Sequence, residues 1–221
     1  MFSNDTRTKL ENIVRGIVLE GEEDNCTAAR NLLCASFRTS TTVKKDFENQ
    51  SIIKEEQAAL LRSYSANKNW WVHDVPGDTQ FLARGGEAQI YLDTDNRNVI
   101  KINDAVYYTT WLEFFNSVVI HNLLFQDTAY TFLGFTEKNN SLHAVLKQPF
   151  IRSDASVDLS AVKELLGYNG FENTKRNDYY NKELGLILED IHDENVIVNS
   201  ENLFFIDTVF YTVATDGYKV K

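Results

Sequence analysis

Three oxygen-bearing side chains toward the end of the chain have the types and spacing for a shared chemical task. Asp190 and Asn195 lie five residues apart in one polar segment, and Asp207 follows twelve residues after Asn195. A loop with Asp and Asn, followed by a hairpin that returns a second Asp, would bring them together. Phosphoryl transfer needs a carboxylate at the attacking hydroxyl and oxygen ligands for magnesium. The pattern favours this chemistry, although Asp190 and Asn195 alone are more typical of a solvated turn.

A lysine interrupts an apolar strand upstream. Lys101 points away from the side occupied by its isoleucine neighbours, so its ammonium faces one defined side of the strand. It could contact phosphates, or it could protect an edge strand from aggregation. In the helix predicted next, Glu113 is the one acid between Ala105 and Gln126, and this carboxylate lies among aromatic residues and needs a partner. We expect Glu113 to pair with Lys101; the alternative is that Glu113 lies on a solvated helix face.

A turn with small residues lies between two short predicted strands. Small residues such as Gly85, Gly86 and Ala88 allow a backbone to approach phosphate oxygens closely. The full G-x-G-x-x-G pattern is not present, because Ala83, Gly85 and Ala88 occupy its positions. Taken alone, the segment is more typical of an ordinary glycine-containing hairpin turn.

In chain order, these segments resemble the protein-kinase superfamily. The segment Asp190–Asn195 resembles the catalytic loop, and Val99–Ile102 resembles the strand with the phosphate-binding lysine. Gln148-Pro149-Phe150 resembles the hinge between the two lobes. More narrowly, the region from about Lys9 to Val213 resembles the kinase-like domain of bacterial mobile-element polyvalent proteins. Several weak signals in the family's order, each on the expected type of element, are hard to produce by chance.

The resemblance implies ATP and Mg²⁺ as cofactors and gives each candidate residue a role. Asp190 orients the acceptor hydroxyl or accepts its proton, while Asn195 and Asp207 hold magnesium. Lys101, braced by Glu113, positions the phosphates. Contacts to the nucleotide or its phosphates are also implied for His192 in the catalytic loop, for Gly85, Gly86 and Ala88 in the glycine turn, and for Gln148 and Phe150 at the hinge.

The sequence departs from the family pattern at several positions. Leu188 and Glu189 precede Asp190 in place of His-Arg, so the histidine that buttresses the loop is absent. His192 stands where a lysine is usual, as in aminoglycoside and choline kinases. Thr208 follows the metal aspartate in place of phenylalanine, and fourteen residues remain after Asp207. We therefore expect no control by activation-loop phosphorylation.

Hydrophobic periodicity predicts the elements that position these residues. The order of strands, helix and strands indicates an antiparallel sheet with a helix packed on it. Residues 167–182 read as a polar loop. The predicted helices are Leu10–Val18 with a stop at Gly21, a second capped by Asp24 or Asn25 and running to Phe37 before a break at Thr39–Thr42, then Ser51–Tyr64, Asp104–Phe125 and Val157–Leu166. The predicted strands are Trp70–Val72, Gln80–Leu82, Ala88–Leu92, Asn98–Ile102, Thr131–Thr136, Leu142–Lys147, Leu186–Leu188, Val196–Val198 and Leu203–Ile206.

The fold class predicted from this order and from the resemblance is α+β. The resemblance implies a compact bilobal protein-kinase-like fold, with an antiparallel N-lobe sheet plus helix and a reduced C-lobe. We expect an N-terminal helical extension over residues 1–68, the N-lobe over 69–148, and the reduced C-lobe with the catalytic and metal loops over 149–221.

Composition narrows the functional classes. Lys and Arg number 22 against 32 Asp and Glu, giving a net charge of -10, and this acidity argues against a nucleic-acid binder. A run of about 18 apolar residues is absent, so we expect no membrane span. Cys26 and Cys34 lie too far apart on one predicted helix for a disulfide and indicate a reducing, cytoplasmic compartment.

The leading function is an ATP- and Mg²⁺-dependent kinase, a phosphotransferase that moves the γ-phosphoryl group to a hydroxyl of a protein or small-molecule acceptor. An alternative is a pseudokinase-type nucleotide-binding or protein-interaction module of a mobile element, which the incomplete glycine pattern favours. A third possibility is an acidic interaction protein that mimics nucleic acid. No nucleic-acid or membrane partner is expected.

Overall fold

The computed structural model describes residues 3–21, 24–37 and 47–213 of the chain. All strand pairs within its sheets are antiparallel, and the mixture of helices and antiparallel sheets confirms the α+β class. The helices are α1 (Asn4–Val14), α2 (Asn25–Phe37), α3 (Phe47–Lys68), α4 (Trp111–Leu124) and α5 (Leu159–Tyr168). The strands are β1 (Phe81–Arg84), β2 (Ala88–Leu92), β3 (Asn98–Asn103), β4 (Thr131–Lys138), β5 (Ser141–Pro149), β6 (Glu172–Lys175), β7 (Asp178–Asn181), β8 (Leu186–Glu189), β9 (Val196–Asn199), β10 (Asn202–Phe205) and β11 (Val209–Thr212).

The chain divides into two compact units, which we describe separately. The sheet unit contains the described residues within 21–115 and 129–150, and the hairpin unit contains those within 1–20, 116–128 and 151–221. The three-part division at residues 68 and 148 stays a prediction.

The early helices form about where periodicity places them, but α1 begins and ends earlier in the chain than predicted. It ends at Val14, and Gly16 adopts a left-handed conformation (φ 64°) that stops the helix well before Gly21. Asp24 is the cap of α2, because its Oδ1 accepts hydrogen bonds from Cys26 N (2.7 Å) and Thr27 N (3.0 Å). The predicted break at 39–42 lies outside the described residues.

The five-stranded sheet of the sheet unit has the order β1-β2-β3-β5-β4. Strand β3 pairs with β2 on one side and β5 on the other, so it is central. The alternative of an edge-strand role for Lys101 is therefore wrong. One buried cluster of this unit contains Tyr91, Ile100, Ile102 and Val145. The residues predicted as a strand at 70–72 form one isolated bridge to β4 instead.

The helix predicted over 104–125 starts seven residues later, at Trp111. Ala105 has a positive φ of 55°, which is incompatible with a helix. Asn103 Oδ1 accepts a hydrogen bond from Ala105 N at 2.6 Å and stabilises this turn. A side chain that competes for the backbone N–H groups thus delays the helix.

The hairpin unit contains a four-stranded sheet of order β11-β8-β7-β6 and a separate β9–β10 hairpin. The prediction of a loop over 167–182 is wrong, because β6 and β7 form a hairpin there. Polar residues of β7 can be buried because their hydrogen bonds are satisfied. Asn181 is buried, accepts a bond from Leu184 N and donates to Asn169 O. Strand β11 was not predicted.

Cys26 and Cys34 form no disulfide, as predicted, and both are buried. Within the described ranges, we find no helix with the length and apolar composition needed to cross a bilayer.

Candidate functional site

The polar segment around Asp190 follows directly after β8. Asp190 adopts a left-handed conformation (φ 64°), which is uncommon outside glycine and is often found where surrounding contacts impose it. The turn between β6 and β7 and the first residue of β7 supply such contacts. Asp190 N lies 3.3 Å from Asp178 Oδ1, and Ile191 N donates to Asn177 O at 3.0 Å. Asn177 and Asp178 were missed by the sequence analysis because their segment was read as a loop.

The side-chain amide of Asn195 contacts two other residues of this segment. Its Nδ2 donates to the backbone oxygen of Asp190 at 2.8 Å and lies 3.3 Å from Asp190 Oδ2. His192 Nε2 lies 3.1 Å from the same amide nitrogen and 3.4 Å from Asp190 Oδ1. The structure therefore brings Asp190, His192 and Asn195 into one contact group. The oxygen Oδ1 of Asn195 takes part in none of these bonds and can serve as a cation ligand.

The β9–β10 hairpin places Asp207 next to this group. The hairpin register pairs Val196 with Phe205, and the ladder continues with a bond from Ile206 N to Asn195 O at 3.0 Å. Asp207 is the next residue, so its backbone lies beside that of Asn195. A carboxylate and an amide oxygen fit Mg²⁺, which takes one or two protein ligands alongside water and phosphate oxygens. Among the described residues, no cluster of three or more His, Cys, Asp or Glu side chains forms a metal site by itself.

The carboxylate of Glu189 lies near two other acidic side chains of this region. The pKa of Glu189 is raised above its ordinary value, first by partial burial and then by the negative charges of Asp178 and Asp190. A like charge nearby disfavours the ionised form of Glu189. A divalent cation at this position would reduce that repulsion.

Lys101 lies on β3 with only 5% of its surface exposed. Its Nζ lies 3.4 Å from the hydroxyl of Tyr130 and 5.3 Å from the centre of the Tyr130 ring. The ring face favours a nearby cation, so Tyr130 helps to hold the buried ammonium. Tyr130 was missed by the sequence analysis, and no local sequence signal marks it.

Glu113 caps the start of α4. Its Oε2 accepts a hydrogen bond from Thr109 N at 2.9 Å, and its own N–H donates to Thr110 Oγ1 at 3.1 Å. The T-x-x-E spacing of Thr110 and Glu113 could have indicated this cap. The pairing of Glu113 with Lys101 stays a prediction.

The glycine turn joins β1 to β2. Gly85 N donates to Ala88 O at 2.9 Å and closes the turn. The hydroxyl end of the Tyr107 side chain lies where a Cβ atom on Gly86 would be, so a larger residue here would require Tyr107 to move. The predicted phosphate role of this turn stays a prediction.

The predicted hinge residues are part of the sheet. Gln148 is almost fully buried and lies opposite Val99 in the β3–β5 register. Phe150 N donates to Arg97 O at 2.8 Å. The main-chain N–H of Phe150 is thus already bonded within the sheet unit.

Two residues of α3 fix the start of α4. Gln57 Oε1 accepts a hydrogen bond from Leu112 N at 3.0 Å, and Lys54 Nζ donates to Ala105 O at 2.7 Å and Tyr108 O at 2.9 Å. Burial lowers the pKa of Lys54, and nearby carboxylates, Asp104 first, oppose this effect. The sequence analysis gave this helix no such role.

A cavity of about 590 Å³ lies within the sheet unit. Its walls include the glycine turn, Lys54 and Arg62 of α3, and the turn between β4 and β5. Lys101 is not among the lining residues. The predicted phosphate-binding lysine therefore does not border this cavity.

One comparison with known proteins identifies a family. The model of the family described as Serine/Threonine/Tyrosine Kinase found in polyvalent proteins matches residues 54–214, which include all the candidate residues above. This confirms the predicted resemblance, although the match begins within α3 rather than near Lys9. No curated protein matches the chain.

Proposed function

Because the chain belongs to the family of Serine/Threonine/Tyrosine kinases found in polyvalent proteins, we propose that it transfers the γ-phosphoryl group of ATP, with Mg²⁺, to a hydroxyl. The acceptor is a hydroxyl of a protein or of a small molecule. We further propose that the sheet unit is the N-lobe, and the strands after Phe150 the reduced C-lobe, of a kinase-like bilobal fold.

Five of the candidate residues have a role in this proposal. Asp190 orients the acceptor hydroxyl and takes its proton, while Asn195 and Asp207 supply oxygen ligands to the metal. Lys101 binds phosphate oxygens, and His192 donates a hydrogen bond to a phosphate. Bound Mg²⁺ would neutralise charge on the phosphates. Most of the rate gain would come from positioning and charge stabilisation.

The observation that carries the proposal is the position of Asn195. Its side chain bonds to Asp190 at 2.8 Å, and its backbone oxygen accepts from Ile206 N at 3.0 Å, directly before Asp207. One residue therefore fixes the spacing between the proposed base and the proposed metal ligand. An ordinary solvated turn has no need for such a connection.

A second candidate is a pseudokinase-type module that binds nucleotide or protein without transfer. Two observations favour it. Ala83 occupies the first position of the glycine pattern, and the N–H of Phe150 at the proposed hinge is already bonded to Arg97 O.

Substitution of the proposed metal ligand tests the leading function. We expect Asp207→Ala to lower transfer of labelled phosphate from ATP by about 10³-fold or more, because a charged ligand at the transferring group is lost. The matched control is Glu194→Ala, which removes an exposed carboxylate of the same segment and should leave transfer within about threefold of the wild type.

A host lysate supplies both protein and small-molecule acceptors for this assay. Transfer of phosphate from labelled ATP is compared between the wild type and Asp190→Ala. Wild-type transfer by Asp207→Ala, with unchanged unfolding, would contradict the metal assignment. A wild type that transfers nothing in any lysate would favour the second candidate.

A further inference from the structure

A fully buried histidine lies near the proposed metal ligand. His121 of α4 has no exposed surface; its Nε2 lies 2.9 Å from Thr128 O and its Nδ1 lies 2.8 Å from Thr208 Oγ1. A carbonyl oxygen can only accept, so Nε2 carries the ring proton. In the neutral ring Nδ1 then accepts the hydroxyl proton of Thr208. The Thr208 side chain is therefore held in one orientation.

Two further side chains, those of Thr128 and Ser117, hold the backbone before and after Asp207. Thr128 Oγ1 donates to Phe205 O at 2.6 Å, two residues before Asp207. Phe210 N donates to Ser117 Oγ at 2.9 Å, three residues after it. Together with the bond between His121 and Thr208, these contacts fix residues 205–210. We call His121, Thr128, Ser117 and Thr208 the support network.

Aromatic packing reinforces the network. The rings of Phe125 and Phe205 are stacked with their centres 4.3 Å apart. The buried ring of Phe210 also lies against Phe125. These rings exclude water from the buried polar groups, so each hydrogen bond is costly to break. Apolar contacts alone would stabilise the segment without fixing its direction.

The proposed function requires the side chain of Asp207 to keep a defined orientation. The metal would be held by only two protein ligands, Asn195 and Asp207, and the backbone between them is bonded through Ile206 N. A ligand that rotates freely loses affinity for its metal, and residues that orient ligands affect binding strongly. Thr208, the residue that follows Asp207, is held by its hydrogen bond with His121.

We propose that His121 and Thr208 are positioning residues, which hold Asp207 in the orientation that binds Mg²⁺ with nucleotide. This inference rests on the proposed function and deepens it. His121, which lies on α4, thereby supports the segment around Asp207. The catalytic loop of this chain lacks the histidine that is usual in the family pattern. Neither residue touches the reacting groups.

The test compares two substitutions of Thr208. Thr208→Val keeps the shape and removes the hydroxyl, whereas Thr208→Ser keeps the hydroxyl. The readout is the Mg²⁺ concentration at the midpoint of the ATP-dependent rise in melting temperature. We expect Thr208→Val to raise this midpoint about tenfold and Thr208→Ser to stay within about twofold of the wild type, because only the hydroxyl bonds to His121.

Hydrogen exchange gives a readout that needs no ligand. In the free protein, we expect the amides of residues 206–210 to exchange faster in Thr208→Val than in Thr208→Ser. His121→Phe should raise the Mg²⁺ midpoint to a similar extent, and combining it with Thr208→Val should add little, because both remove the same bond. If His121→Phe does not fold, the Thr208 pair decides alone.

The outcomes separate the two proposals. A wild type whose melting temperature does not respond to ATP with Mg²⁺ overturns the proposed function. A responsive wild type with an unchanged midpoint in Thr208→Val overturns the positioning role alone. Equal losses in Thr208→Val and Thr208→Ser also overturn it, because the hydroxyl would then not be the cause.

Discussion

Asp190 shows how individual residues depend on their neighbours. Its left-handed backbone is supported on one side by Asp178 and on the other by the amide of Asn195. Such a conformation costs about 1–3 kcal/mol when it is unsupported. The residue types at 190 and 195 could be read from the sequence, but Asp178 could not, because its polar strand looks like a loop.

The raised pKa of Glu189 predicts how the stability of the folded protein depends on pH. The pKa of Glu189 is raised in the folded protein. Between the ordinary pKa of glutamate and this raised pKa, the native state therefore binds more protons than the unfolded state. Stability is therefore lost as pH rises through this window. We expect Glu189→Gln to be more stable than the wild type at pH 7, with the difference shrinking below the window.

Urea unfolding of both proteins at pH 7 and at about pH 4, just below the glutamate reference value, measures this. Glu164→Gln, which changes an exposed acid of α5, serves as the control and should show little change. A gain for Glu189→Gln that is the same at both pH values would contradict the assigned cause.

At the scale of elements, α3 is coupled to α4 within the sheet unit. Gln57 is 2% exposed and accepts the N–H of Leu112 at the start of α4. Helix N-termini have unsatisfied N–H groups, and side chains usually satisfy them from nearby in sequence. Here the acceptor comes from a helix 55 residues earlier, so α3 is part of the framework that positions Glu113.

We expect Gln57→Ala to lower the free energy of unfolding by about 1–2 kcal/mol, because the buried N–H of Leu112 loses its acceptor. Glu56→Ala, the neighbouring exposed position on the same helix, should change it by less than about 0.5 kcal/mol. Urea denaturation checks both variants. A loss in Gln57→Ala no larger than that in Glu56→Ala would show that this hydrogen bond contributes nothing measurable.

At the scale of the whole molecule, family membership makes nucleotide binding the first property to measure. The family match covers both the lysine strand and the aspartate segment. A ligand that binds only the folded state stabilises it by about 2.7 kcal/mol at a concentration of one hundred times Kd. For a chain of this length, we expect ATP with Mg²⁺ to raise the melting temperature by several degrees.

ATP with EDTA is the control and should give a smaller shift, because the phosphates then lack the cation. A shift with no transfer to any acceptor would identify a nucleotide-binding pseudokinase. No shift at all would favour a protein-interaction module, and the net charge of -10 would then be the main guide to its partner.

The residue types that can do chemistry, their order, and most of the strands and helices could be predicted from the amino-acid sequence alone. These features are local: alternation predicted β2 and β3, and the spacing between Asn195 and Asp207 requires only one hairpin. The tertiary structure decided which residues hold the chemical groups in place. Thr208 and His121 are 87 residues apart, and a contact between distant residues leaves no periodic pattern in either segment. For the same physical reason, only the folded chain could show that β3 is central and that a glutamine of α3 caps α4.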